Sequence, residues 1–314
     1  MTRKGVARVL LTVVLLALVW QAVDGAAVMA RMRTLDPFWL ALALLLLLLQ
    51  TVLSAMRWRV TAARLGQPMP MDHALREYFL SQTVNLTLPG GVIGDAARAV
   101  RAREGAGLEK AGQAVLFERL SGQVALVVVT LIAGGLSILV PGGVSPPLPL
   151  ITAFGVLAGL VVATGVGLGV LAARRPALAR WFVAMRWSLL HRDVALWQAM
   201  LSLGTVVANV LSFAAASASV GLFLPAAAVF AVVPLVLFAM LVPFAVGGWG
   251  FREGAAVAIL PLVGARSEEA FAASAAFGIV FLVSSVVGLA LSWIIGQRGG
   301  QERAAGERSG HPRR

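Results

Sequence analysis

The chain has 314 residues, of which 59% are hydrophobic and only 13% are charged, and its formal net charge is +12 at pH 7. A water-soluble domain carries about 25% charged residues, so this chain has too little polar surface for a soluble fold. It contains no cysteine, which excludes disulfides, thiolate metal sites and cysteine nucleophiles. In so apolar a chain, an excess of Lys and Arg is typical of cytoplasmic loops that meet anionic lipid, and not of nucleic-acid binding.

Apolar segments follow one another along the chain, and about 20 such residues are enough to cross a hydrocarbon core. The first begins after a basic N-terminus and has no convincing cleavage site, so it is predicted to be a retained helix and not a signal peptide. In chain order, the predicted segments are 6–23, 37–56, 122–140, 148–172, 194–216, 225–246 and 270–295.

The distribution of arginine predicts the orientation of these segments. Arginine is concentrated at the N-terminus, at 57–66, at 174–192 and at 298–314, whereas residues 141–149 and the turn near Gly221 carry no charge. Because cytoplasmic loops hold the excess of Lys and Arg, both termini are predicted to lie in the cytoplasm, with the chain in the plasma (inner) membrane.

Two segments do not fit a simple alternation of full crossings. If 225–246 and 270–295 both crossed, the C-terminal tail would end outside, so residues 225–264 are predicted to form a hairpin that enters and leaves on the external side. The same reasoning predicts a hairpin at 74–103 that enters from the cytoplasm. Such inverted pairs of broken helices occur in many transporters.

The expected fold is therefore an all-α polytopic integral membrane protein. It has about six full transmembrane helices and two re-entrant broken-helix hairpins in an inverted repeat. Residues 1–296 are predicted to form one transmembrane domain, and residues 297–314 a disordered basic cytoplasmic tail.

The predicted tips of the two hairpins have similar sequences. LPGGVIGDAARAV (88–100) and VPFAVGGWGFREGAAV (242–257) each contain a proline, a Gly-Gly pair, a third glycine, charged residues and small residues. Broken backbone at membrane depth persists only where it is buried in protein or lines a wet cavity. The alternative interpretation is that the glycines only allow close packing of helices.

A helix that restarts after Gly94 or after Gly250 presents unpaired N–H groups and the positive end of its dipole. Such an end is suited to a phosphate. Arg98 and Arg252, which follow shortly after, would add guanidinium groups that match phosphate oxygens.

Ionisable residues in apolar sequence are costly and usually mark a pathway or a pair. One hypothesis is that Asp95 or Glu118 pairs with Arg98 or Arg252 until a lipid headgroup displaces it. The alternative is that Glu118 and the adjacent Arg119 form an interfacial salt bridge with no further role. Asn85 is interpreted as a structural cap or as a ligand, with neither favoured.

Other features predict no further chemistry. The histidines His73, His191 and His311 are scattered, so no metal site is predicted. No phosphate-binding loop, dinucleotide fingerprint or nucleophile elbow is present, and no cofactor is expected. The Arg-Trp-Arg run at 57–59 is interpreted as an anchor at the membrane interface.

Four separated motifs resemble those of a known family. In order, they are RWRVTAARLGQPMP, YFLSQTVNLTLPGGVIGDAARAVRAR, VLFERLSGQVAL and VPFAVGGWGFREGAAV. The series is similar to the transmembrane region of lysylphosphatidylglycerol synthases, also called the flippase-like family, over about residues 8 to 295. The resemblance implies movement of lipid between leaflets, best supported in that family for aminoacylated phosphatidylglycerol. Other members are linked to polyprenyl-phosphate or glycolipid pathways.

The resemblance assigns the family's Gly-rich motifs to both tips and shows two departures. Glu118 and Arg119 stand where the family often has Asp-Arg, and the proline that commonly precedes the second Gly-Gly pair is displaced to Pro243. Full-length synthases carry a soluble aminoacyl-transferase domain after the membrane region, and this sequence ends shortly after its last predicted helix. Aminoacyl transfer by this chain alone is therefore not expected.

The expected function is a flippase-like lipid transporter and not an enzyme. Its partners are membrane lipids, anionic or phosphate-bearing, with a phospholipid or polyprenyl-phosphate headgroup between the two tips. Two alternatives remain: a non-catalytic membrane partner of a separate synthetase or glycosyltransferase, and an enzyme in which Asp95 and Glu118 act as acid and base. The predicted substrate-binding residues are Asn85, Pro89, Gly90, Gly91, Gly94, Asp95, Arg98, Glu118, Arg119, Gly247, Gly248, Gly250, Arg252 and Glu253.

Overall fold

The computed structural model describes residues 3–104, 106–139, 148–241 and 246–308. These residues form helices and connecting turns, and none of them lies in a strand. In chain order the helices are α1 (Arg3–Gln21), α2 (Gly25–Arg33), α3 (Pro37–Arg64), α4 (Met71–Thr87), α5 (Ile93–Arg101), α6 (Leu108–Leu139), α7 (Leu148–Arg174), α8 (Pro176–Leu190), α9 (Arg192–Ser219), α10 (Ala226–Ala231), α11 (Val233–Phe238), α12 (Phe251–Ile259) and α13 (Ser267–Arg308). Short 3-10 turns lie at Ala239–Leu241 and Leu260–Val263.

The chain is an all-α polytopic membrane protein, as its composition predicts. Five helices of the described residues, α3, α6, α7, α9 and α13, are long and apolar enough to cross a membrane. Helices α1 and α2 meet at an angle of 98° and provide a sixth candidate if they are taken as one broken span. The count of six full crossings and the inverted repeat stay predictions.

The helices extend further than the apolar runs that predicted them. Helix α3 continues to Arg64, and α6 begins at Leu108. The added parts include polar side chains that are buried in the protein, among them Arg57 and Glu118. Helices α2 and α8 were not predicted at all. Helix α2 begins at a bend where the Asp24 carboxylate accepts hydrogen bonds from the N–H groups of Ala26 and Ala27, which is ordinary N-capping by aspartate.

Each predicted hairpin consists of a first helical segment and a second helix, separated by a break, and we call each hairpin a helix pair. The first consists of α4 and α5, with the break at residues 88–92. The second consists of α10 and α11, followed by α12, with a turn at residues 246–250. Residues 242–245, which include the displaced Pro243, lie outside the described residues. Entry of the two pairs from opposite sides of the membrane stays a prediction.

The main hydrophobic core lies between α3, α9, α11 and α13. Leu47, Val210, Phe213, Val236 and Phe277 are buried there. Helix α7 lies at the edge, and the apolar stretch that qualifies it as a span is not buried inside the protein. The second, more polar half of α3 lies outside this core and packs against α4, α5 and α6.

The C-terminal helix differs from the expected disordered tail. Helix α13 continues through residue 297 to Arg308, and the segment QERAAGER contains several residues of high helix propensity. Residues 140–147 and 309–314 lie outside the described residues. The first of these ranges includes most of the uncharged stretch 141–149 that was predicted to be external.

Candidate functional site

The breaks of the two helix pairs face each other across a cavity of about 290 Å³, which we call the central cavity. Gly91 and Val92 line it from the first break, and Gly247 and Gly248 line it from the second. Gly247 has a φ of +55° and packs against α4, because a Cβ there would lie only 2.8 Å from the carbonyl oxygen of Leu86. The two Gly-rich tips therefore line one cavity.

Helices from both halves of the chain complete the central cavity. Apolar side chains include Leu126, Leu237 and Phe281. The polar lining comes from α3, α4, α6 and α9: Gln50, Ser54, Arg57, Tyr78, Ser81, Gln82, Asn85, Glu118, Arg119, Gln123, Thr205 and Asn209.

Glu118 is the centre of a buried set of charges beside this cavity. Its side chain is fully buried, and its Oε1 lies 2.6 Å from Arg57 Nη2, while its Oε2 lies 3.3 Å from Arg98 Nη2. The Tyr78 hydroxyl donates a further hydrogen bond to Oε1 at 3.1 Å. One carboxylate thus holds two arginines from different helices.

Asp95 plays the same part for a second pair of arginines. Its Oδ1 lies 3.0 Å from Arg98 Nη2, and its Oδ2 forms an ion pair with Arg119. Ser81 Oγ donates to Oδ1 at 3.1 Å and Asn85 Nδ2 donates to Oδ2 at 2.8 Å. We call Arg57, Asp95, Arg98, Glu118 and Arg119 the arginine–carboxylate network.

The arginine–carboxylate network carries more positive than negative charge, since three guanidinium groups face two carboxylates. Arg98 is fully buried between the rings of Trp58 and Tyr78, at 4.6 and 4.4 Å from their centroids, and does not line the cavity. Arg57 and Arg119 do line it. Their Nε atoms have no hydrogen-bond partner among the described residues. Excess positive charge and N–H groups without a partner make this a site suited to an anion.

The helix N-termini at the two breaks are already partly satisfied, which corrects the expectation that they are open to a phosphate. The Gly94 N–H donates to Asn85 Oδ1 at 2.8 Å, and the Gly250 N–H donates to Glu253 Oε2 at 2.6 Å. Polar side chains near a helix start commonly cap these groups. Asn85 therefore serves as a cap in addition to lining the cavity.

Arg252 and Glu253 form a second buried cluster, separate from the central cavity. Both are fully buried and paired with one another, and Ser274 Oγ contacts Arg252 Nε at 3.0 Å. The guanidinium group lies 4.8 Å from the ring centroid of Trp249 and 5.4 Å from that of Phe277. Arg252 therefore does not line the central cavity, and the local carboxylate and two rings hold it inside the protein. Its predicted role in headgroup binding stays a prediction.

The predicted site residues thus fall into three groups. Those in the central cavity are Asn85, Gly91, Glu118, Arg119, Gly247 and Gly248. Asp95 and Arg98 lie directly behind it in the network, and Gly94 packs on α4, where a Cβ would overlap the Ser81 carbonyl. The remainder, which do not line it, are Pro89, Gly90, Gly250, Arg252 and Glu253.

Sequence reasoning missed Arg57 and its neighbour Trp58. Both are buried, at 3% and 0% exposure, whereas Arg59 is exposed, so the interpretation of this run as an interface anchor is wrong for its first two residues. The run lies well inside α3, which ends at Arg64. The predicted helix ended at residue 56, which placed Arg57 and Trp58 at its exit. Their burial inside the protein was therefore not predicted. No sequence pattern around Gln82 or Asn209 marked them as residues of a site.

The comparison with protein families supports the resemblance seen in the sequence. A family model described as the lysylphosphatidylglycerol synthase TM region matches residues 5–288. The match includes both helix pairs and every residue that lines the central cavity. No curated protein matches the chain.

Proposed function

Since the chain belongs to the family of lysylphosphatidylglycerol synthase transmembrane regions, we propose that it moves a phosphate-bearing lipid between leaflets, with the headgroup in the central cavity. The observation that carries the proposal is the excess positive charge of the arginine–carboxylate network, two of whose arginines line the cavity between the two tips.

An anion in the central cavity would balance this charge. A buried charge without a partner is costly. The guanidinium groups of Arg57 and Arg119 are planar, and the forked arrangement of their N–H groups suits phosphate oxygens. The side chain of Arg119 is 35% exposed, so a headgroup can reach it without unfolding its surroundings.

The size of the cavity also favours a headgroup. Its volume of about 290 Å³ lies just below the range of about 300–1,000 Å³ found for small-molecule pockets. It accommodates a headgroup while the acyl or polyprenyl chains stay in the bilayer. Alternating access would come from one helix pair moving against the other around this site.

The roles of the carboxylates support transport rather than catalysis. Asp95 and Glu118 each bridge two arginines, an arrangement that orients cations at a binding surface. General acid–base chemistry instead needs a proton donor or acceptor within reach of the reacting group. Of the two, only Glu118 lines the cavity, and it is fully buried.

The test is lipid movement in proteoliposomes with fluorescent phospholipids and a polyprenyl phosphate. We expect Arg119→Gln to slow the movement by at least about tenfold, because the loss of a charge-assisted hydrogen bond costs about 1.5–3 kcal/mol. Arg174→Gln, which changes an exposed arginine at the end of α7, is the matched control and should move lipid at the wild-type rate.

Two results would contradict the proposal. Equal rates for Arg119→Gln and the wild type would remove the cavity from the pathway. Folded wild-type protein that moves no lipid would favour the alternative of a membrane partner for a separate synthetase or glycosyltransferase.

A further inference from the structure

A second cavity lies at the end of the helix bundle where α3 ends and α6 begins. Its volume is about 710 Å³, and it shares no lining residue with the central cavity. Its walls are the end of α3 with the turn that follows, the first turns of α6, and α8. We call it the α8 groove. Neither helix pair contributes a residue to it, so a ligand here is separate from the one proposed for the central cavity.

Three cationic side chains, each from a different helix, line the α8 groove. They are Arg64 of α3, Lys110 of α6 and Arg180 of α8, and no carboxylate is among the described residues that line it. Two carboxylates lie nearby. Asp193, whose side chain is 66% exposed, is 3.6 Å from Arg64 Nη1, and Glu109 accepts a hydrogen bond from a glutamine of its own helix. Positive charge is in excess even when both carboxylates are counted.

The guanidinium group of Arg64 is fixed in position but lacks acceptors for its N–H groups. Its Cζ lies 4.7 Å from the ring centroid of Trp187, a stacking contact that favours a cation. Its Nε and Nη2 are buried and have no hydrogen-bond partner among the described residues. Buried donors without a partner are costly. The oxygens of a phosphate would supply the missing acceptors together with the missing negative charge.

Apolar side chains beside these cations indicate that the anion belongs to a lipid. Val183 and Trp187 line the groove and are 70% and 50% exposed, and Leu190, one turn further along α8, is 67% exposed. Trp181 of the same helix packs edge-on against Phe117, so α8 packs on the protein with one face and exposes apolar side chains on another. Tryptophan is enriched at the membrane–water interface, and basic pockets between transmembrane helices there bind lipid headgroups.

We propose that the α8 groove binds an anionic phospholipid of the surrounding leaflet as a resident lipid. The phosphate lies among Arg64, Lys110 and Arg180, and the acyl chains follow the exposed apolar side chains of α8. The inference goes beyond the proposed function, because this lipid is held at the edge of the protein and is not moved. A zwitterionic lipid binds less tightly, since its ammonium group restores the positive charge that its phosphate offsets.

The test places a fluorophore beside the α8 groove, which is possible because the chain contains no cysteine. Leu190→Cys provides a labelling site on α8 that does not line the groove. The bimane-labelled protein in detergent is titrated with phosphatidic acid or phosphatidylcholine of the same acyl chains, each with a nitroxide quencher near the headgroup. Helix α8 contributes no residue to the central cavity. We expect phosphatidic acid to quench the fluorescence at a concentration at least about tenfold lower.

Two double variants, each made in the labelled protein, separate the groove from general surface charge. Lys110→Gln with Arg180→Gln removes two cations whose side chains are exposed. It should raise the half-quenching concentration of phosphatidic acid about 25-fold, or about fivefold for each cation. Arg174→Gln with Arg175→Gln removes the same charge from exposed positions that do not line the groove, and it should leave that concentration unchanged.

Three results would overturn the inference. Equal quenching by the two lipids would show that the groove does not select negative charge. Equal losses in the two double variants would mean that diffuse surface charge attracts the lipid. Recovery of fluorescence on addition of inorganic phosphate, with chloride at the same ionic strength as the control, would mean that the groove takes a free phosphate. Because the signal reports binding at α8 and not lipid movement, a failure of the proposed function leaves this result intact.

Discussion

Each helix pair contains one arginine that is fully buried and held by carboxylates and aromatic rings inside the protein. Arg98 does not line the cavity and lies between two rings and two carboxylates. Arg252 has a similar environment of one carboxylate, a serine and two rings. Glycine makes room for the second, because a Cβ at Gly278 would overlap Arg252 Nη2. These arginines fix the second helix of each pair to its surroundings, so we assign them a structural role.

A substitution at Arg252 tests that role. We expect Arg252→Met to lower the free energy of unfolding by about 3–5 kcal/mol, because Glu253 is left as an unpaired buried charge. The midpoint of thermal denaturation in detergent measures the loss. Arg266→Met, at a side chain that is 72% exposed, is the control. Unchanged stability combined with lost lipid movement would instead return Arg252 to the transport site.

At the scale of elements, the sequence predicted where helices break but not what the breaks do. The Pro and Gly clusters at 88–94 and 247–250 marked both interruptions, because these residues disfavour continued helix. The N–H groups at the two restarts were expected to be open. They are instead partly satisfied by Asn85 and Glu253, and the partner of Gly94 lies on the preceding helix. A contact of that kind depends on how two helices pack and not on local sequence.

The contact between α4 and α5 gives a prediction for one glycine. Gly94→Ala should destabilise the protein and impair lipid movement, because the added Cβ would overlap the backbone carbonyl of Ser81, which cannot move aside without displacing α4. Gly165→Ala is the matched control, since nothing lies within 4 Å of the added Cβ and alanine favours helix. Thermal denaturation should separate the two variants, and equal midpoints would show that α4 and α5 tolerate a wider spacing.

At the scale of the whole molecule, the sequence predicted the membrane class and the family but not the charge network. Arg57, Asp95 and Glu118 are far apart in the sequence, and each looked like an isolated charge beside an apolar run. They meet because α3, α5 and α6 pack together. No local sequence pattern indicates these contacts. The sequence hypothesis therefore offered Arg252 as well as Arg98 as a partner of Asp95 or Glu118, and it left Arg57 out.

The predicted orientation is testable because the chain contains no cysteine. We expect a single cysteine at Phe223, which is 67% exposed, to react with a membrane-impermeant maleimide added outside intact cells. A cysteine at the exposed Glu104 should react only after the cells are opened, because it follows a hairpin predicted to enter from the cytoplasm. Labelling of both positions from one side would contradict the opposed entry of the two hairpins.

The most direct test of headgroup binding in the central cavity is an experimental structure of the protein in a bilayer of phosphatidylglycerol. We expect a headgroup in the central cavity, with phosphate oxygens about 3 Å from the guanidinium nitrogens of Arg57 and Arg119. An empty central cavity with lipid phosphates only around the outer surface, or a phosphate bound at Arg252, would contradict it.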